Sequence, residues 1–252
     1  MAGTETEFSY IGVGELLLAP YAFPNKMFKV GNVNKLDFSF SESEKSIKNF
    51  KTTGGAKANS LRTLDSVSLS VGFVDRTADN LAVIFRGDTA SVATAAIVDE
   101  VKTAYLGRYI KLDKQVGVTG HVVKHTSGTP TYTLNTDYTV DSKGLIKIPL
   151  TGGAITDGQS LKISYNHKAF EKVEPLINAS VEYKALFMGL NGAQSGKEFV
   201  IEIHKIKFGV PSSLPIIGED FAAMEAAADA LADTTITTAG LSQFMTIRQV
   251  EA

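Results

Sequence analysis

The sequence predicts a mainly β protein, built as a sandwich or barrel and carrying one short helix. Apolar and polar residues alternate in "LDFSFS" (residues 36–41), as they do in a strand with one buried face. The same alternation runs through "SVSLSVGF" (residues 66–73). Clusters of Gly, Asn, Asp and Pro separate these and several similar segments, and many strands joined by short turns are typical of sandwiches and barrels.

Further strands are expected along the chain wherever apolar segments lie between turn residues. These segments are 8–18, 108–112, 116–125, 160–169, 179–188 and 198–207. In addition, residues 131–165 have the pattern of four short strands joined by turns that contain Asp and Gly.

One helix is expected at "TADNLAVIFRG", residues 77–87. Thr77 or Asp75 can cap its N-terminus, and Gly87 stands at its C-terminal stop. The helix is short enough to close one end of a β core. Its apolar residues at helical spacing are Leu81, Ile84 and Phe85.

Residues 41–60, "SESEKSIKNFKTTGGAKANS", predict a long charged loop between two early strands. A connection of this length is either a mobile solvated loop or a functional one, and the composition leaves both open. The residues that would carry a function are Glu42, Glu44, Lys45, Ile47, Lys48, Phe50 and Lys51.

The composition excludes several classes of function. Twenty-five basic and 27 acidic side chains give a net charge of −2, unlike the strongly basic balance of most nucleic-acid-binding proteins. The absence of cysteine excludes disulfides, thiolate nucleophiles and cysteine-ligated zinc. The acidic start "MAGTETEF" and the interrupted apolar run 11–20 predict neither a signal peptide nor a membrane span.

No motif predicts an enzyme or a cofactor. "GVGELL" (residues 12–17) has Leu17 where a dinucleotide-binding loop needs its third glycine. "TTGGAKAN" (residues 52–59) lacks the residues that a phosphate-binding loop has on either side of its lysine. No serine stands in a G-x-S-x-G nucleophile motif.

The sequence also predicts no metal site. His121 and His125 would lie about 13 Å apart in a strand, at about 3.3 Å per residue, too far to share one ion. Asp137, Asp141 and Asp157 could gather around Ca²⁺, but they lack the spacing of a calcium-binding loop. Aspartates in turns usually accept hydrogen bonds from their own backbone instead.

Four segments together resemble the major tail tube proteins of long-tailed bacteriophages. The resemblance lies in patterns of strand, loop and helix, and it covers most of the chain outside residues 113–170. The segments are "GELLLAP" (14–20), "VGNVNKLDFSFSESEK" (30–45), "SVSLSVGFVDRTADNLAVIFRG" (66–87) and "LPIIGEDFAAMEAAADALAD" with "GLSQF" (214–244).

The resemblance implies a sandwich or barrel core flanked by a helix, with six copies closing a ring around a channel for the genome. Rings of such proteins stack through a long loop that maps onto residues 41–60, so Ile47 and Phe50 would belong to an inter-ring docking element. The lumen is commonly acidic, which lets DNA pass without sticking. Implied partners are other copies of the chain, a tape measure protein and a tail terminator, with only transient passage of DNA and no membrane. The implied location is the virion tail, assembled in the host cytoplasm, with no catalytic residue, metal or cofactor.

Two further expectations depend on the resemblance. Residues 1–112 and 171–252 would form the tail tube core, and residues 113–170 a small all-β inserted subdomain. We expect the insert on the outer surface of the tube, because an insert that faced inwards would block the channel. In residues 219–233 the alanines favour a helix by propensity; the strand-like flanks and the resemblance favour a strand.

An alternative function is a virion or cell-surface adhesin whose immunoglobulin-like modules bind a carbohydrate or a host receptor. Its support is a set of tyrosines within residues 113–170, namely Tyr132, Tyr138 and Tyr165. Tyrosines exposed on one face would form a stacking surface for such a ligand, whereas tyrosines in short strands commonly pack on their neighbours.

Overall fold

A computed structural model describes residues 9–51, 53–179, 181–219 and 223–250 of the chain. The chain divides into two compact units: the first unit comprises residues 1–89 and 173–252, and the second unit comprises residues 90–172. Strands make up 52% of the structure and helices 4%, so the expected mainly β class is confirmed. Among the described residues, no sheet closes into a barrel.

The strands and the helix are numbered in chain order. They are β1 (Gly12–Pro20), β2 (Phe28–Lys29), β3 (Val33–Lys48), β4 (Lys57–Phe73), α1 (Ala78–Ile84), β5 (Asp88–Val92), β6 (Ala95–Ala104), β7 (Tyr109–Ile110), β8 (Thr119–His125), β9 (Thr139–Val140), β10 (Ile146–Lys147), β11 (Gln159–His167), β12 (Phe170–Glu174), β13 (Glu182–Asn191), β14 (Lys197–Phe208), β15 (Met224–Ala230) and β16 (Met245–Gln249). A single 3₁₀ turn, Gly192–Gln194, joins β13 to β14.

The main sheet of the first unit is antiparallel and forks at β14. The strand order is β2, β1, β13, β14, β15, β4, β3, and β16 also pairs with β14. β16 pairs along Phe199–Ile203 and β15 along Ile206–Phe208, so the two strands share one side of β14. The two branches of the fork enclose a single hydrophobic core.

The buried face of β4 follows the alternation that the sequence predicts. Val67, Leu69, Val71 and Phe73 are each at most 2% exposed and lie in the core of the first unit. The serines between them are on the opposite face. The predicted strand at residues 66–73 is therefore confirmed, as is its partner at residues 36–41.

Helix α1 closes part of this core. Its N-cap is Thr77, whose side-chain oxygen accepts a hydrogen bond from the backbone N–H of Asn80 at 3.2 Å. Asp75, the other candidate cap, accepts instead from the backbone N–H of the residue that precedes β3. Val83 and Ile84 pack into the core, so the predicted helix is confirmed.

Within the alanine-rich segment 219–233, residues Met224–Ala230 form a strand, β15. Residues 220–222 lie outside the described residues. Buried and exposed residues alternate without exception along β15, which lies between β14 and β4. Ladder hydrogen bonds on both sides and burial of every second side chain outweigh the helical propensity of alanine.

The predicted long loop at residues 41–60 is wrong. β3 continues to Lys48 and β4 begins at Lys57, so all but the turn at residues 49–56 is an antiparallel hairpin. The register shifts twice within this segment: near Ser41, where Asp65 is an extra residue on β4, and near the turn, where Ala58 is another. Both faces of the hairpin are exposed, so its sequence has no alternation of apolar and polar residues. The sequence therefore gave no signal for a strand there.

The second unit is all β, as expected, but it begins earlier than predicted. The expected insert was residues 113–170, and the compact unit is residues 90–172. β6 explains the difference, because it pairs with β11 from Ala95 to Ala104 and so belongs to the central sheet β6, β11, β8. The sequence signal for β6 is weak since the strand is bulged: Val98 and Asp99 stand opposite Ser164 alone, and Asp99 has φ of 56°.

Of the four short strands expected in residues 131–165, three are present as β9, β10 and the start of β11. The first is reduced to isolated bridges at Thr131 and Leu134. β9 and β10 form a small sheet with β7. The core between the sheets is made of Ala104, Ile110, Leu112, Val118, Val123, Tyr132, Tyr138, Ile146, Ile148, Ile155, Leu161, Ile163 and Tyr165.

We expect a fragment of residues 90–172 to fold alone, and a fragment of residues 113–170 to fail. The shorter fragment loses β6 and β7, which pair with β11 and β10 and carry part of the core. Circular dichroism and dispersed amide NMR signals would report the difference. Equal folding of both fragments would show that β6 is dispensable and that the unit begins later.

Candidate assembly surfaces

The part of the β3–β4 hairpin at residues 41–64, called here the arm, holds all seven predicted docking residues. Their side chains divide between two faces because neighbours in a strand alternate. Glu42, Glu44 and Lys48 lie on one face, Lys45 and Ile47 on the other, and Phe50 and Lys51 in the turn.

The first face of the arm is charged and internally paired. Arg62 lies 3.9 Å from both Glu42 and Glu44, and Lys57 forms an ion pair with Glu44. These side chains are largely exposed, so each pair stabilises the arm by at most about 1 kcal/mol. Glu42 and Glu44 are therefore engaged within the arm.

The second face of the arm is apolar and basic. Leu61 stands directly opposite Lys45, and Ile47 lies diagonally beside it. Ile47 is 57% exposed, Leu61 63% and Phe50, in the turn, 84%. No ion pair joins Lys45 or Lys51 to another residue in the described part of the chain.

A two-stranded hairpin with both faces exposed is marginally stable in water, and its apolar side chains gain nothing until another surface covers them. The arm contains no buried side chain from Ser41 to Leu64 among the residues described there. These properties make it the feature of the first unit best suited to contact another molecule.

A second surface is the outer face of β3, β4 and β15, called here the serine-rich face. Cross-strand pairs place Asp37 beside Ser70, and they place Ser68 between Ser39 and Asp229. Its side chains are small and polar. It is formed by Asp37, Ser39, Ser41, Ser66, Ser68, Ser70, Glu225, Ala227 and Asp229, with Lys35 and Lys207 at its margins.

A third surface is the outer face of the other branch of the fork, called here the apolar face. One row across it is Val13, Leu190 and Glu198, and the next contains Met188 and Val200. Val13 is 60% exposed, Met188 52% and Leu190 45%. Contiguous exposed apolar residues on a sheet are typical of interaction sites.

An apolar cleft of about 450 Å³ lies between β1 and β3. Phe38, Phe187 and Phe199 line it, and its polar rim includes Asn34 and Lys35. The described residues that line it include no Asp, Glu, His, Ser or Thr, and one tyrosine. The ionisable side chains among these lining residues are those of Tyr10 and Lys35.

The turn aspartates are occupied by the backbone. Asp137 accepts hydrogen bonds from the backbone N–H groups of Thr133 and Ala154, both at 2.7 Å. Asp141 and Asp157 likewise accept from backbone N–H groups. Among the described residues, no group of three or more His, Asp or Glu side chains is placed to hold a metal ion.

The two histidines of β8 make separate local contacts. His121 is bonded to the carbonyl oxygen of Gly144 at 3.1 Å, and burial lowers the pKa of its imidazole. His125 Nδ1 is bonded to the Ser127 hydroxyl at 2.8 Å. Each imidazole thus contacts a residue in a neighbouring turn of the second unit.

The tyrosine surface expected for an adhesin is absent from the described structure. Tyr132, Tyr138 and Tyr165 are 6%, 3% and 2% exposed and belong to the core of the second unit. The Tyr165 hydroxyl donates a hydrogen bond to Glu100, and burial is the main cause that raises its pKa to about 12. The three rings are therefore not available to stack on a ligand.

Sequence reasoning selected residues 41–60 as a docking loop, and it identified neither the serine-rich face nor the apolar face. The alternating serines of residues 66–73 were a usable signal for the first of these faces. The apolar face has no such signal, because an exposed valine or leucine looks the same in a sequence as a buried one. No helix in the described ranges is both long and apolar enough to cross a membrane.

The fold and these surfaces define a mainly β protein with two compact units and a protruding hairpin. The chain belongs to the family described as "Protein of unknown function UCP028589", whose model matches residues 9–248. No curated protein matches the sequence.

We expect Asp137→Asn to destabilise the second unit at pH 7 by about 1–3 kcal/mol, since buried N–H groups lose a charged acceptor. The two N–H donors hold the pKa of Asp137 below its usual value. A lowered pKa stabilises the fold above the unfolded pKa near 4, and this stabilisation is lost as pH falls through the folded value. Urea unfolding should show that the difference in free energy of unfolding between the unaltered protein and the variant decreases as the pH falls from 7 to 2.

The matched control is Glu171→Gln, which alters an exposed carboxylate of the same unit. It should leave stability unchanged at every pH. A penalty for Asp137→Asn that stays constant from pH 7 to pH 2 would contradict the assigned role of the carboxylate.

Proposed function

We propose that the chain is a structural, non-enzymatic subunit that assembles with copies of itself into hexameric rings, and that the rings stack into the tail tube of a long-tailed bacteriophage. The ring and the tube come from the sequence resemblance. The observation that carries the proposal is the arm, an exposed hairpin with uncovered apolar side chains at Ile47, Phe50 and Leu61.

The arm supports stacking because it needs a partner. A subunit that remained alone would expose these residues permanently, at the cost of solubility. In a stack of rings, each arm would be covered by the neighbouring ring, and its ordering would accompany assembly. The predicted docking residues keep this role in the proposal, although they stand on strands and a turn instead of a loop.

The free sheet edges support closure of a ring. Among the described residues, β3 pairs on one side only, with β4, and β16 pairs on one side only, with β14. A ring of identical subunits closes head to tail, with one surface of each copy meeting a different surface of the next. Two unlike edges on one chain suit that arrangement, because edge strands pair readily with other chains.

The serine-rich face supports passage of DNA. Lysine and arginine contacts to phosphate add salt-dependent affinity that would retain a moving strand. This face instead presents short hydroxyl side chains and three carboxylates, with two lysines only at its margins. We place it at the channel wall of the proposed tube. DNA is then a transient passenger, and the lasting partners are other copies, a tape measure protein and a tail terminator in the virion tail.

A shortened arm tests the stacking. Ser43 and Thr63 are cross-strand partners joined by a 2.9 Å hydrogen bond, so an Asn-Gly turn can connect them in place of residues 44–62. We expect the unfolding transition of the variant to match that of the unaltered protein, because the deleted residues cover no core. Negative-stain microscopy should show stacked tubes about 100 Å wide for the unaltered protein and only single rings for the variant.

Tubes of normal length from the shortened chain would contradict the role of the arm. Persistent monomers of the unaltered protein at high concentration would contradict the proposed function itself.

Added lysines test the channel wall. We expect Ser39→Lys combined with Ser68→Lys, a cross-strand pair on the serine-rich face, to make assembled tubes retain a short DNA duplex. Retention should weaken with salt, since each phosphate contact contributes about −0.9 to the slope of log affinity against log salt, and every subunit of a ring adds two lysines. Because the duplex would lie inside the tube, it should resist nuclease.

The matched control is Thr103→Lys with Ser160→Lys, a cross-strand pair of the second unit. DNA bound to tubes of this control should remain nuclease-sensitive. Equal sensitivity in both variants would remove the serine-rich face from the channel.

A further inference from the structure

We propose that the apolar face of one subunit is the surface that receives the arm of a second copy, so that Leu61 packs on Val13 and Leu190 while Lys45 pairs with Glu198. The inference rests on the self-assembly proposed above and adds the receiving surface. It follows from chemical and geometric complementarity between two surfaces of the first unit.

The arm offers an apolar residue beside an unpaired cation. Leu61 and Lys45 are direct cross-strand partners, so their Cβ atoms are about 5 Å apart on the same face. Leu61 is 63% exposed, and Lys45 has no ion pair with any described residue. A complementary surface must therefore present an apolar site next to a free carboxylate at the same separation.

The apolar face presents that pair. Leu190 and Glu198 are direct cross-strand partners on β13 and β14, again about 5 Å apart. Glu198 has no ion pair with any described residue, whereas the other carboxylates of this face are engaged: Glu15 with Lys29 at 2.6 Å and Glu202 with Arg248 at 2.9 Å. Among the carboxylates described on this face, the unpaired one is therefore Glu198, beside Leu190.

The dimensions also agree. The eight residues of β3 within the arm, 41–48, span about 23 Å from first to last at about 3.3 Å per residue. Val13 to Leu17 along β1 spans about 13 Å, and the four strands from β1 to β16 span about 14 Å at about 4.8 Å per strand. The arm can thus cross the apolar face and cover Met188 with Ile47 or Phe50.

The serine-rich face is a poorer receiver. Its carboxylates would attract Lys45, but its described side chains are serines, carboxylates and one alanine, with lysines at the margin. Burying Leu61, Ile47 and Phe50 there would desolvate hydroxyl groups without apolar contacts in return. Apolar burial, the larger part of the driving force, therefore selects the apolar face.

Disulfide trapping tests the inference, and the absence of cysteine from the chain makes single-cysteine variants unambiguous. Leu61→Cys protein is mixed with Leu190→Cys protein under assembly conditions and oxidised. A disulfide requires Cα atoms within about 7 Å, so only neighbouring residues are joined efficiently. We expect several-fold more covalent dimer of the two different chains from this mixture than from Leu61→Cys with Ser39→Cys, whose cysteine lies on the serine-rich face.

A charge reversal provides the second readout. Glu198→Lys introduced into the Leu190→Cys protein should lower the trapped yield, and Lys45→Glu introduced into the Leu61→Cys protein should restore it. Glu15→Lys, which alters an already paired carboxylate of the same face, should leave a smaller effect that Lys45→Glu does not reverse.

The outcomes separate this inference from the proposed function. If tubes form but Leu61→Cys and Leu190→Cys are not joined, the receiving surface is wrong and the proposed tube still stands. The same holds if tubes form and the Ser39→Cys control is crosslinked equally well. Efficient specific trapping in small oligomers that never form tubes would support the receiving surface and count against the tube. The absence of both crosslinks and tubes would overturn the receiving surface and the proposed function together.

Discussion

The β3–β4 ladder is the interaction on which the rest of the first unit depends. One antiparallel ladder, with three register shifts, runs from Val33 and Phe73 in the core to Lys48 and Lys57 near the turn. Its inner half is stabilised by burial of Val67, Leu69 and their neighbours, and its outer half continues the same hydrogen bonding into solvent. The core thus supplies the stability that an isolated hairpin lacks, so that a two-stranded arm with no buried face can be presented in a defined register.

The same ladder separates three chemically different surfaces. Because side chains alternate, the strands that bury apolar residues in the fork present serines and carboxylates outside on β4 and β15. The other branch exposes Val13, Met188 and Leu190 on its outer side. Polar residues at those positions would suit a protein that stays alone. In the proposed tube, the apolar face and the arm are the two halves of a contact between copies, and the serine-rich face lines the channel.

Much of the fold was predictable because its signals are local. Alternation in residues 36–41 and 66–73, the Thr77 cap and the helical spacing around Ile84 each depend on a few adjacent residues. The predictions failed where the signal was not local. The arm was interpreted as a loop since neither of its faces is buried, and β6 was missed since the bulge at Asp99 interrupts its period. The second unit was consequently placed at 113 instead of 90.

For the candidate site, the sequence by itself determined that residues 41–60 are charged and that they include the apolar residues Ile47 and Phe50. It also determined which strands have two unlike faces. Only the tertiary structure decided which of those faces the core covers, that Lys45 stands beside Leu61, and that Glu198 stands beside Leu190. Alternation is a property of a single strand, whereas cross-strand neighbours and covered faces arise from pairing between residues far apart in the chain.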